Sequence, residues 1–384
     1  MSAILNMNSK LPNVQTTIFT VVGKLAKEHN AINLSQGFPD FSPDPELLHL
    51  YKKALDGTYN QYAPTTGAQQ LREMIVEKIE KTYGRRYDVE TEVTVTAGAT
   101  QAIYTAITAF VSKGDEVIVL KPAYDCYEPA IELAGGVPVL IQLQGKEFKI
   151  DWDEFRSKIT PKTKMVIINT PHNPSGQILS EADMLTLQDI LRDTNIILLS
   201  DEVYEHIVFD GMAHQSAARF EDLSNRSIIC SSFGKTFHVT GWKIGYCVGP
   251  SGLMNEFNKI HQFNVFCVNH PAQIALAEYL QNEEHYLNLG DFYQKKRDYF
   301  LNAISDSRFK FTPSQGSYFQ LLDYSDITNE SDITLNERLI KDYKLASIPM
   351  SLFNINERDD NLLRFCFAKT KETLDKAAEI LNKI

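Results

Sequence analysis

Between Val93 and Val248 the chain repeats one theme, in which short β-branched runs are followed by amphipathic stretches. The runs cover 93–96, 116–120, 137–143, 164–169, 195–200, 226–230 and 242–248. They are almost continuously apolar, which is how strands read when both faces of a mostly parallel sheet are covered. Helical stretches such as 99–111 and 181–193 lie between several of them, so the pattern predicts an α/β fold with a mostly parallel mixed sheet flanked by helices. After about residue 275 the theme changes. A long polar-apolar helix is expected over 283–304, then a strand over 317–322, a helix over 333–343, strand-like runs at 345–349 and 361–367, and a last helix from Lys371. That order predicts a smaller α+β domain. The expected organisation is an N-terminal arm (1–35) packing with the small domain, a large domain (36–275) and a small C-terminal domain (276–384).

A chain of 384 residues suits one large and one smaller domain. Its net charge of −11 argues against a nucleic-acid partner, which requires a basic footprint. The five cysteines (Cys126, Cys230, Cys247, Cys267 and Cys366) are scattered and form no C-x-x-C pair. Neither a disulfide framework nor a zinc site is indicated, and a reducing, cytoplasmic compartment is expected. The start MSAILNMNSK lacks a basic segment followed by an apolar run, so no signal peptide is expected. No apolar stretch approaches the ~20 residues of a membrane span.

The polar residues of interest stand where open α/β sheets bind ligands, at the ends of strands. Ser231-Ser232-Phe233-Gly234-Lys235-Thr236 follows the run 226–230. Schiff-base chemistry needs a lysine amine that loses its proton readily, and burial or nearby cations achieve this. Ser200-Asp201-Glu202-Val203-Tyr204 ends the run 195–200. A buried aspartate there keeps a pyridine nitrogen protonated, the condition for an electron sink, and Tyr204 reaches a phenolic oxygen. The loop 169–176 contains two X-Pro steps and a glycine, which hold Asn173 at a third strand end. Gly98, Ala99 and Thr100 open a helix whose free N–H groups suit a phosphate, with hydroxyls from Thr100 and Ser232. This loop has neither the nucleotide P-loop pattern nor the dinucleotide glycine pattern. Lys243, eight residues after Lys235, pairs with the same phosphate and depresses a neighbouring amine. Arg364 lies inside the apolar run 361–367, where an unpaired charge is costly. A bidentate clamp on a substrate α-carboxylate accounts for it.

Each element alone has a plainer reading. Lys235 is then a surface lysine, Asp201 a helix N-cap or half of a magnesium site with Glu202, and Asn173 part of an ordinary turn. Gly98 becomes a simple helix start and Arg364 an interdomain ion pair. Their joint occurrence at successive strand ends converges instead on one cofactor, pyridoxal 5'-phosphate, with no metal.

The motifs INLSQGFPDF (32–41), NQYAPTTG (60–67), VTAGATQA, KPAYDCYEP (121–129), NTPHNPSG, SDEVYEH, SSFGKTFHVTGWKIGY and LLRFCFAK span nearly the whole chain. With them the sequence resembles the fold-type I, class I aminotransferases. GFPDF, DCYEP and SSFGKT bring it nearest to the branch of bacterial methionine aminotransferases and kynurenine aminotransferases (glutamine transaminase K). The resemblance implies that Lys235 forms the internal aldimine and Asp201 pairs with the pyridinium. It implies that Asn173 and Tyr204 bond the phenolic oxygen, that Tyr124 stacks on the ring, and that Ala99, Thr100, Ser232 and Lys243 hold the phosphate. Arg364 with Asn173 receives the substrate carboxylate, Gly37 lines the substrate site through its backbone, and Tyr62 reaches the other subunit's phosphate in a homodimer. Ile18, Phe19, Tyr62, Tyr124 and Phe353 are the implied side-chain pocket, apolar or aromatic, which favours methionine, then aromatic amino acids and glutamine. The sequence departs from the family at Lys243, where arginine is common, and at His238, a position usually small. His238 is expected to be a packed histidine. A β-elimination enzyme on the same site (a cysteine-conjugate or cystathionine lyase) and a non-catalytic pyridoxal-phosphate-binding regulatory module are the alternatives. The module fits poorly, because it would carry a DNA-binding domain and lose Lys235.

Overall fold

The structure, a computed structural model, describes residues 8–384. The first seven residues of the expected arm, which also open the stretch read for a signal peptide, lie outside the described residues. Twelve strands are present among the described residues: β1 (Ile32–Asn33), β2 (Val93–Thr96), β3 (Glu116–Lys121), β4 (Val137–Gln142), β5 (Thr163–Asn169), β6 (Ile197–Asp201), β7 (Ser227–Ser232), β8 (Gly245–Val248), β9 (Phe319–Asp323), β10 (Leu345–Ala346), β11 (Ile348–Pro349) and β12 (Leu362–Cys366). Seven form the main sheet in the order β2-β8-β7-β6-β5-β3-β4. Only β8 runs antiparallel to its neighbours, β2 and β7. The apolar runs are continuous because successive residues face opposite covered sides. Val117 and Val119 enter one core cluster, while Ile118 and Leu120 enter another.

β11, β12 and β9 make a separate antiparallel sheet, covered by the helix Lys371–Leu381. β1 pairs in parallel with β10, so the segment Ile32–Asn33 joins the C-terminal elements. Residue 275 falls inside the helix His270–Tyr279, which packs on the helices Pro45–Asp56 and Gln69–Tyr83. Tyr204 belongs to the core cluster of the C-terminal sheet, although it follows a main-sheet strand. The ends of β5, β6 and β7 therefore open where two cores meet.

Several boundaries differ from the sequence reading. The strand expected at 242–248 begins only at Gly245, because Thr240–Trp242 is a 3₁₀ turn and Lys243 has φ 54°. The helix expected over 283–304 is two helices, Glu284–Leu287 and Leu289–Ala303. The helix Ile18–Glu28, capped by Thr17, was not anticipated in the arm. Among the described residues, no helix is long and apolar enough to cross a membrane.

Candidate active site

The site is assembled by strand ends, as topology requires of a mostly parallel sheet. β6 ends on Asp201, whose carboxylate is buried and accepts from Tyr127 Oη at 2.6 Å and from the Val203 amide at 3.3 Å. Burial pushes its pKa up to about 6, and Tyr127 opposes the shift. Among the described residues Asp201 has no ion-pair partner. A buried carboxylate without a cation is costly, and a protonated pyridine nitrogen is a group that relieves it.

β5 ends on Asn169. Its Nδ2 donates to the Asp201 carbonyl at 2.9 Å, and its Oδ1 accepts from the Asn173 amide at 2.8 Å. Asn169 thus ties the two loops together. Asn173 Oδ1 accepts from Arg364 at 2.7 Å, and the second guanidinium nitrogen donates to the Ser35 carbonyl at 2.9 Å. Arg364 is fully buried on β12, stacked over Phe319 at 4.0 Å, and its Nε has no hydrogen-bond partner among the described residues. Burial draws its pKa down to about 10. It has no carboxylate partner among the ion pairs of the described residues, so the interdomain salt bridge is not formed.

β7 leads into the short helix Phe233–Thr236, which carries Lys235. Lys235 Nζ donates to the Gly37 carbonyl at 3.0 Å and to Tyr318 Oη at 2.9 Å. Burial lowers its pKa to about 8; Lys243 and Arg364 add to this, while Cys366 and Asp201 oppose it. The shift brings its titration near physiological pH, so that a substantial minority of the amine is unprotonated there.

Gly98 has φ +78° and ends β2's loop at the start of the helix Ala99–Phe110. No side chain caps that helix, so its first N–H groups face the pocket. At φ +78° any L side chain at Gly98 is strained, and a Cβ there would press to 3.1 Å against Lys243 Nζ. Gly98, Ala99, Thr100, Tyr124, Asn173, Asp201, Tyr204, Ser232, Lys235 and Lys243 line one pocket, together with Asn169 and Thr240. The helix start, Ser232 and Lys243 fit a phosphate. Asp201 across the same pocket fits a pyridinium, and these two observations suit pyridoxal phosphate. Tyr124 is partly buried and pushed up to about 12, chiefly by burial.

The segment carrying Asp201 and Tyr204 is locked from behind. Glu205 accepts from Lys78 at 2.6 Å, Ser231 at 2.5 Å, Tyr83 at 2.7 Å and Tyr246 at 2.8 Å. Burial is the largest influence and would raise its pKa, but Lys78, His206 and Ser231 together hold the carboxyl well below the usual range. Glu202 accepts from Ser200, the Ala217 amide and His214. Those contacts engage both oxygens of Glu202, and among the described residues no group of three or more carboxylates, histidines or cysteines is placed to hold a metal ion.

Ile18 and Phe19 lie on the helix Ile18–Glu28; Phe19 faces Phe353 at 6.1 Å and lies 5.4 Å from the Arg364 guanidinium. Tyr62 is not brought into this chain's pocket. It is 79% exposed and packs edge-on against Phe266, itself 52% exposed, near Phe263 at 87%. His238 sits among Phe41, Phe292 and Tyr293 at 5.0–5.5 Å, and burial lowers its pKa to about 4, so it is a packed, neutral ring. The sequence reading missed Tyr127, Asn169 and Tyr318. Asn169 was visible as the polar end of an apolar strand, and Tyr127 stood within a quoted motif. Tyr318 gave no local signal.

The chain matches the family model described as aminotransferase class I and II over residues 29–381. It is 47% identical to the methionine aminotransferase of Escherichia coli (strain K12), over 98% of both chains. It is 34% identical to kynurenine–oxoglutarate transaminase 1 of Rattus norvegicus, over 97% of both. A solved Escherichia coli structure, described as identifying a methionine aminotransferase function, superposes with a TM-score of 0.97 at 46% identity, covering 99% of this chain and 100% of that one.

Proposed function

Because this chain belongs to the class I and II aminotransferases, a pyridoxal-phosphate-dependent family, we propose that it carries the cofactor on Lys235 and moves the amino group of methionine and other long, uncharged L-amino acids to a 2-oxo acid. When bound, pyridoxal phosphate supplies an electron sink that makes the α-proton of an attached amino acid removable. The protein's residues then have separate tasks. Arg364 and Asn173 fix the α-carboxylate, because a buried guanidinium with a free Nε has bonding capacity directed at an incoming anion. Lys235 Nζ accepts the α-proton and gives it back, a task suited to an amine near neutrality. Asp201 holds a positive charge on the ring nitrogen, Tyr204 bonds the phenolic oxygen, and Tyr124 covers the ring. The helix start at Ala99 and Thr100, with Ser232 and Lys243, holds the phosphate.

The observation that carries the substrate class is the surroundings of Arg364. Three aromatic rings, Phe319, Phe19 and Phe353, lie within 4.0–5.8 Å of its guanidinium. Asp125 adds a carboxylate in the same field. Thioether sulfur packs well on aromatic rings, by ~0.3–1.5 kcal/mol. A second substrate carboxylate would be desolvated without a partner. We therefore expect kcat/KM to fall in the order methionine, phenylalanine and glutamine, aspartate. A gap of about 10-fold or more between methionine and aspartate is expected. Single-turnover conversion of the cofactor absorbance by each amino acid measures it. Aspartate ahead of methionine would overturn the substrate assignment and leave the aminotransferase assignment standing.

We further propose that the active unit is a homodimer, in which the exposed Tyr62 completes the partner's phosphate site. The exposed rings of Tyr62, Phe263 and Phe266 support this, since an aromatic surface of that kind is rarely left to solvent. Sedimentation should give a species of twice the 43.6 kDa chain. A fully active monomer refutes it.

A further inference from the structure

Lys235 Nζ, the Gly37 carbonyl oxygen and Tyr318 Oη form a closed triangle. Nζ donates to Gly37 at 3.0 Å and to Tyr318 at 2.9 Å, while Tyr318 Oη donates to Gly37 at 2.5 Å. The tyrosine has one hydroxyl proton, and the short contact to Gly37 uses it. Its oxygen is then an acceptor toward Lys235. Both contacts of the amine thus consume N–H bonds, and the nitrogen lone pair of the neutral amine is left free. A hydroxyl that donated to Nζ would occupy that lone pair and block proton uptake.

The triangle is rigid. Tyr318 is fully buried and packs on the rings of Tyr204 at 5.1 Å, Phe319 at 5.0 Å and Tyr293 at 5.6 Å. A Cβ on Gly37 would lie 2.7 Å from Phe319 and 3.3 Å from the Tyr318 ring, so glycine lets the backbone approach and fixes its carbonyl. We propose that Gly37 and Tyr318 form the resting place of the Lys235 amine whenever it is not covalently engaged, and that Tyr318 is a positioning residue that keeps the amine's lone pair available for proton transfer. This rests on Lys235 being the cofactor lysine.

Tyr318→Phe keeps the ring and deletes the acceptor. An acceptor facing an ammonium favours the charged form, so its loss lowers the Lys235 pKa further. The groups facing Nζ that share this titration are Asp201, Tyr204, Lys243, Tyr318, Arg364 and Cys366. The experiment uses full-length holoenzyme with its cofactor in the pyridoxamine form, where Lys235 is free. Competitive acylation across pH 6–11, read by peptide mass spectrometry, gives the titration of Lys235. The expected result for Tyr318→Phe is a fall of about one unit, with kcat about 10–100-fold lower, KM within about twofold, and the pH profile of kcat displaced in the same direction. Tyr293→Phe is the control: it removes a buried hydroxyl without a hydrogen-bond partner from the same stack and should leave the titration in place. An unmoved Lys235 titration in Tyr318→Phe, or an equal displacement in Tyr293→Phe, overturns the proposal. Borohydride reduction of both variants reports separately on the cofactor lysine. Label on another residue defeats the functional reading itself, whereas label on Lys235 with an unmoved titration defeats only the role of Tyr318.

Discussion

Lys235→Ala is expected to lower kcat by about 10⁴-fold or more, the upper end of what one general base contributes, because on the proposed reading the same side chain also anchors the cofactor. The structure gives the reason. Among the described residues, Lys235 Nζ is held in the pocket by hydrogen bonds to Gly37 and Tyr318, and no second lysine shares that place. Lys243, the other lysine lining the pocket, stands against Gly98, at the end proposed to hold the phosphate. Substitution of the alanine variant by a water chain cannot restore an amine whose pKa is tuned to about 8 by burial. The intact protein, reduced with borohydride, should carry the cofactor on the peptide containing Lys235 and on no other. The alanine variant should bind the cofactor only reversibly, through the phosphate end. Turnover within about 100-fold of the unaltered chain would remove Lys235 from the mechanism.

The parts of this site that were legible in the sequence are those whose signal is local. An apolar strand that ends abruptly on Asp201, Asn169 or Ser232 announces a sheet edge. A small-residue turn followed by Lys235 announces a close approach. Arg364 was legible through its cost, as a charge inside an apolar strand. What stayed hidden depends on chain segments that meet only in the fold. Tyr318 and Gly37 are 281 residues apart, and Tyr127 and Asp201 are 74 apart. No periodicity links them. The helix Ile18–Glu28 was legible through the Thr17 cap and the spacing of Ile18, Val22, Leu25 and Ala26, and the sequence reading passed over it. The strand expected to begin at Trp242 was read too long, because hydropathy cannot register that Lys243 adopts a left-handed conformation. The helix over 283–304 was read as one because amphipathic periodicity continues through Asn288, the single residue, at φ −79° and ψ 0°, that separates the two helices.

Asp201→Asn is expected to lower turnover by several orders of magnitude while making the cofactor-free chain more stable at neutral pH. The two effects share one cause. Burial raises the Asp201 carboxyl from an ordinary 3.8 to about 6, against the pull of Tyr127. A group whose folded pKa is raised stabilises the fold while protonated, below its unfolded pKa. That contribution is lost as pH rises through the folded value. Between about pH 4 and pH 6 the cofactor-free protein therefore loses up to about 3 kcal/mol that an asparagine, neutral throughout, does not lose. In the proposed holoenzyme a protonated pyridine nitrogen paired with the carboxylate would relieve this burden. Asparagine leaves that nitrogen neutral and the ring a poor electron sink. Denaturant unfolding of the cofactor-free proteins at pH 4.5 and pH 7.5 measures the first effect, and single-turnover conversion with methionine measures the second. The stabilities should coincide near pH 4 and separate by roughly 1–3 kcal/mol at pH 7.5 in favour of the variant. An asparagine variant that turns over within tenfold of the unaltered protein, or that is less stable at pH 7.5, would show that Asp201 is not the counter-charge for the cofactor.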